Sequence, residues 1–228
     1  MFSKVPDETP IVNNVTARNA GILLVAATIL AVAAMAHHPS VTSPNIAQAI
    51  EQIARLSDLS AWVHGVMIGV LLALLYVFTE FAWRRGITLP LVRAGFIAYI
   101  VGVLAMIGAA MMSGFVITQI ASLTPHATDA DLRISGQLLI LCSVLNQTFA
   151  SLGVLLMSVG IVFWSLDLLR GPRLARLLAM FGLLVGLFPA ATLALGALHL
   201  NVPGMTQVVL LQSVWNIGVG LLLIRGIV

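Results

Sequence analysis

Five histidines, a serine placed before a glycine and a scatter of amides are the side chains in this sequence able to bind or transform a ligand. His37 and His38 are adjacent in "MAHHPS" at the end of an apolar run, and His64 sits inside the apolar "AWVHGVMIG". His126 follows a proline, and His199 closes "LGALHL". A neutral imidazole offers one acceptor nitrogen to a metal, a haem iron or a ligand hydroxyl. Ser113 in "MMSGF" is a candidate nucleophile if a histidine base lies within reach. The single cysteine, Cys142, allows no intrachain disulfide and no Cys-based metal or redox motif, and nothing approaches the specificity of HExxH spacing. Carboxylates are too few for a di-metal oxygen site, and the lack of lysine in the apolar runs removes retinal Schiff-base chemistry.

The elements that must position these groups follow from composition. Hydrophobic residues make up 60% of the 228-residue chain, charged residues only 8%, and mean hydropathy is +1.08. So little charge cannot cover a soluble surface. Apolar runs of eighteen or more residues are long enough to cross a hydrocarbon core of roughly 30 Å. The fold class is therefore an all-α, polytopic membrane helix bundle with six transmembrane helices, predicted at 19–37, 60–83, 91–121, 132–169, 174–199 and 204–225. Residues 1–18 form a cytoplasmic segment and 19–228 a single transmembrane domain. A β-barrel would instead show roughly ten-residue segments of alternating hydrophobicity. "AVAAMA" before His37 also resembles a signal-peptidase site, but a long leading segment carrying Asp7 and Glu8 favours a retained helix.

With pI near 9.8, nucleic acid suggests itself, but the basic residues sit singly or in pairs beside apolar runs and read as topology signals. One orientation puts Lys4, Arg18, Arg84, Arg85, Arg93, Arg170, Arg173, Arg176 and Arg225 on the cytoplasmic side and leaves Arg55 and Arg133 outside. Both termini are then cytoplasmic, in the inner membrane of a bacterium. Between the first two spans, residues 43–57 predict a short outer amphipathic helix with Ser43 as N-cap, Pro44 at the first helical position and Ile46, Ile50 and Ile53 on one face. It seals the bundle or acts as a lid.

Counting about twenty residues from each cytoplasmic arginine estimates depth. The count brings His38, His64, Ser113, Asn146, Gln147, His199 and Gln212 to one outer layer, with Thr148 and Gln207 beside them. Two readings of this layer stand. Polar side chains at helix ends and imidazoles at headgroup level are ordinary interface residues. Ionisable groups inside a span, as His64 is, are instead functional-site hypotheses. On the second reading His38, His64 and His199 could converge as metal ligands, with His37 or His126 in reserve. Met35, Met67, Met111, Met112 and Met205 fall in the same half, and thioether with imidazole suits Cu(I). Copper or haem are the candidate cofactors, and an uncharged small ligand or quinone the other occupant.

Other polar residues have structural readings. Glu80 is expected to pair with Arg84 and Asp167 with Arg170. Pro189 should free a carbonyl that Thr192 or a neighbour satisfies, and Asn216 should join helices beside Gly218 and Gly220. Ala27, Ala31 and the glycines of "GVLAMIGAA" permit close helix contact within the chain or with a partner subunit or second copy.

"TARNAGILL", "NIAQAIEQIARLSDL" and "GPRLARLLAMFGLLVG" resemble bacterial six-helix membrane proteins of a domain-of-unknown-function family, which implies the six-span fold and no catalytic positions. Six spans, an outward pocket and the Ala27/Ala31 face are similar to the substrate-binding subunits of energy-coupling-factor vitamin transporters. Ser113 with His199 as base resembles rhomboid-type intramembrane proteases. That pattern departs at Ala110, which is out of register for a GxSG motif, and after His64, where no asparagine matches. Three function classes follow: a binding or transport protein with an outward histidine-lined pocket, an accessory subunit of a membrane complex, and an outward-facing membrane enzyme.

Overall fold

The computed structural model describes residues 10–41, 43, 45–124 and 128–228, so Lys4, Asp7, Glu8, Pro44 and His126 lie outside it. Its helices are α1 (Pro10–Ala36), α2 (Ile46–Arg55), α3 (Ser57–Arg85), α4 (Pro90–Met111), α5 (Ile117–Ser122), α6 (Asp129–Leu168), α7 (Arg173–Ala194) and α8 (Val202–Ile224). A π-helical turn, Met112–Val116, joins α4 to α5 without a break in the rod. Among the described residues six helices are long and apolar enough to cross a membrane, counting α4 to α5 as one. The chain is an integral membrane protein, and exposed side chains such as Leu72, Ile97, Leu104 and Leu184 are its lipid contact. Trp62 and Trp83, both strongly exposed on α3, are 21 positions apart. That separation is about 30 Å of helix, the thickness of a hydrocarbon core, with an amphipathic ring at each boundary.

Local chemistry fixes the helix ends. Thr128 and Asp131 form a capping box at the start of α6, and Gly86, at φ +88, closes α3 in the left-handed conformation. Asn45, rather than Ser43, caps α2: its Oδ1 accepts from the backbone of Ala47 at 2.9 Å and of Gln48 at 3.3 Å. Ser43 instead donates to Gln48 Oε1 at 2.9 Å. α7 ends at Ala194, five residues before the expected 199. The cause is Gly196 at φ +68: the Ala197 N–H bonds back to Thr192 O and the Gly196 N–H to Leu193 O, a Schellman termination. His199 therefore stands in a connecting segment.

α4 packs on α6, α6 on α7, and α1 on α8 and α3. The α4–α6 contact is a backbone contact. A Cβ added to Gly102 would lie 2.7 Å from the Met157 amide nitrogen and 3.0 Å from the Gly153 carbonyl oxygen. Ala27 is buried and Ala31 packs against the core, so these small-residue faces are used within the chain. Toward the arginine-rich end the core is aromatic: Phe78, Phe81, Tyr99, Trp164 and Trp215 are all essentially inaccessible. The Phe78 ring lies parallel to both tryptophans at 4.9 and 5.5 Å, and Trp164 Nε1 donates to Val92 O. Glu80 pairs with Arg84 at 2.6 Å as expected. Asp167 pairs with Arg85 of α3 at 2.7 Å rather than with Arg170, because the buried carboxylate faces its neighbouring helix. Thr192 donates to Phe188 O and Pro189 O, not to the Val185 carbonyl that Pro189 leaves free.

Gly102→Ala should cost about 1–3 kcal/mol by forcing α4 and α6 apart. Gly65→Ala on α3, where an added Cβ meets nothing within 4 Å, should leave stability unchanged. Thermal unfolding of both variants in detergent checks the contrast.

Candidate functional site

A cavity of about 560 Å³ lies among the ends of α1, α3, α4, α6 and α8 remote from the arginine-rich end. This is within the range of small-molecule sites. Trp62, strongly exposed on α3, stands two residues before His64, at the end of α3 opposite Arg84 and Arg85.

His64 projects from α3 and is 4% exposed. Its Nδ1 lies 2.8 Å from the Ser60 carbonyl oxygen, which can only accept, so Nδ1 carries the proton. His38, just past the end of α1, makes the same choice: its Nδ1–H donates to its neighbour Pro39 O at 2.8 Å. The two rings meet edge to face with centroids 4.9 Å apart. In both, the remaining nitrogen, Nε2, is an acceptor with no hydrogen-bond partner among the described residues. Burial holds the His38 imidazole below its ordinary pKa, partly offset by the Pro39 bond.

The π turn seats this pair. A Cβ on Gly114 would collide with His64 Cβ and Cγ, so only glycine lets α3 carry the imidazole flat against the turn. Ser60, one helical turn before His64, reaches the Ser113 carbonyl and His64 Nδ1 at 3.4 Å each. π turns accumulate at functional sites because they displace side chains and backbone groups from the regular ladder.

Of the residues expected in an outer layer, His38, His64, Ser113, Asn146 and Gln147 line this cavity. Gln147 also donates to the Leu200 carbonyl at 3.3 Å, tying α6 to the segment before α8. Gln212 lies deeper, in a narrower adjoining chamber, with a long 3.5 Å contact to Ser158 Oγ. His199 is exposed and lines neither chamber, because α7 terminates before it. His37 is exposed and bonds to Ala33 O, as the 100° offset between adjacent helical residues requires once its neighbour faces inward.

The three-histidine metal set is thus not assembled. Among the described residues no group of three or more His, Cys, Asp or Glu could hold a metal ion. Ser113 and His199 likewise do not meet in the cavity, which leaves the hydrolase arrangement without its base. Haem fits poorly as well, since among the described residues no arginine or lysine lines either chamber to meet its propionates.

Sequence reasoning missed Ser60, Met106 and Thr118 in the lining. The spacing of Ser60 four residues before His64 was the available signal. No protein-family model, curated protein or solved structure matches the chain.

The His38 shift has a consequence for stability. Its folded pKa lies below the unfolded one, so the unfolded chain binds the proton first. Stability is fully present above the unfolded value and falls as pH drops through the folded value. The unfolding midpoint in detergent should decrease on acidification below about pH 6.5, and His38→Gln should flatten that dependence.

Proposed function

We propose that this integral membrane protein binds a small solute in the cavity bounded by His38 and His64, as a receptor or transport-type protein. The observation that carries the reading is the pair of Nε2 acceptors, unpartnered among the described residues, on adjoining rings in a 560 Å³ cavity. Backbone carbonyls have already fixed both tautomers, so the site is preorganised to give lone pairs to an electron-pair acceptor: a hydrogen-bond donor or a cation. The positive-inside rule supports an orientation with the arginine-rich end cytoplasmic, the cavity opening outward and both termini inside a bacterial cytoplasmic membrane. An accessory-subunit role draws less support, because the alanine and glycine faces expected to serve a partner are occupied within the chain.

The test uses phenol and hydroquinone as neutral donor probes, followed by thermal shift and equilibrium binding to the purified protein. His64→Leu should weaken binding by about tenfold, the worth of one hydrogen bond at the upper end of its usual range. His38→Leu should do the same. Equal affinities in wild type and both variants would sink the reading.

A further inference from the structure

The main cavity does not end at the imidazoles. Met67 of α3, Met106 of α4 and Met205 of α8, with Leu71, line both it and the deeper chamber of about 70 Å³. Side chains common to two adjoining spaces stand at the boundary between them. Three thioethers from three helices therefore form a collar below the imidazole pair. The sulfur of Met106 is accommodated by Gly153, where a Cβ would come within 2.7 Å of it.

Below the collar, Thr28, Gln212, Ser213 and Asn216 line the chamber, and its two hydroxyl donors are already engaged. Thr28 donates to Leu24 O at 2.7 Å and Ser213 to Val209 O at 2.6 Å, leaving their lone pairs available. Asn216 is 7% exposed, and its Oδ1 has no hydrogen-bond partner among the described residues. The residue expected to join helices thus lines the chamber with its buried oxygen unpaired among the described residues.

Both chambers thus offer acceptors, and among the described residues no charged side chain lines either. An anion finds no cationic side chain there among the described residues. A hard cation would lose its hydration without a carboxylate to replace it. A soft monovalent cation has no such difficulty, because thioether sulfur and imidazole nitrogen are neutral ligands it prefers. We propose that the solute is Cu(I), received at the His38 and His64 Nε2 atoms and held at the Met67–Met106–Met205 collar. This rests on the cavity being a binding site and names its ligand class. The ligand set differs from the three-histidine set: two imidazoles and three thioethers, all on one continuous path, without His199.

Purified protein in detergent is equilibrated anaerobically, under ascorbate, with Cu(I) held by bicinchoninate. One Cu(I) per chain should transfer to the protein, and X-ray absorption should report sulfur in its first shell. Met67→Leu/Met106→Leu/Met205→Leu, which conserves volume, should weaken retention by at least about tenfold. Met205→Leu alone should weaken it less and serves if the triple variant does not fold. Cu(I) left wholly with the chelator, a first shell of nitrogen and oxygen only, or unchanged retention in the variants would each overturn the assignment. Binding of hydroquinone without Cu(I) capture overturns the cation and leaves the cavity reading intact; loss of both removes that reading too.

Discussion

Helices immersed in hydrocarbon feel no hydrophobic pull toward one another, because lipid tails are as apolar as leucine. What draws α4 onto α6 is the dispersion gained when two backbones touch, and that contact exists where Gly102 and Gly153, and again Gly95 and Gly160, remove the side chains between them. The rest of the bundle is arranged around this pair. α3 closes over α4 and brings Phe78 into the aromatic cluster, and α8 contributes Trp215 to the same cluster. The arginine-rich half is therefore filled by large rings in parallel and edge contacts.

The opposite half is built differently. Its lining is aliphatic, methionine and polar, without an aromatic ring other than the two imidazoles, which leaves volume where the aromatics take it up. A polar cavity facing lipid-covered helices must satisfy its own backbone groups, and it does so mostly locally. His64, Thr118, Thr28 and Ser213 each bond to a carbonyl one helical turn earlier. Each such bond consumes a proton and leaves an acceptor, so the acceptor-rich character of the cavity follows from how short polar side chains satisfy themselves on a helix.

The spans were legible because a run of apolar residues needs no neighbour to be recognised. His38 and His64 were found by depth counting, which measures height along a helix. Counting could not detect where a helix stops early. Gly196 ended α7 and removed His199 from the layer, although "LALGAL" carried the glycine in plain view. Asp167 was assigned the arginine nearest in sequence, and only the third dimension supplied Arg85. Ala27 and Ala31 were recognised as contact residues, but sequence left open which helices they would meet. Met106 was passed over because its height from Arg93 is mid-membrane, where a methionine reads as filler.

The π turn at Met112–Val116 has a meaning beyond the seat it gives His64. Within a regular helix one extra residue advances the side-chain face by about 100°. α5 therefore continues the axis of α4 while its own sides are phased independently. That phase is what turns Ala121 and Ile117 toward Ile50 and Ile53 of α2, against Leu139 of α6. A chain lacking one residue of the turn would keep its spans, its hydropathy and its arginine asymmetry. Its amphipathic helix would have no platform, and the cavity would lose its roof.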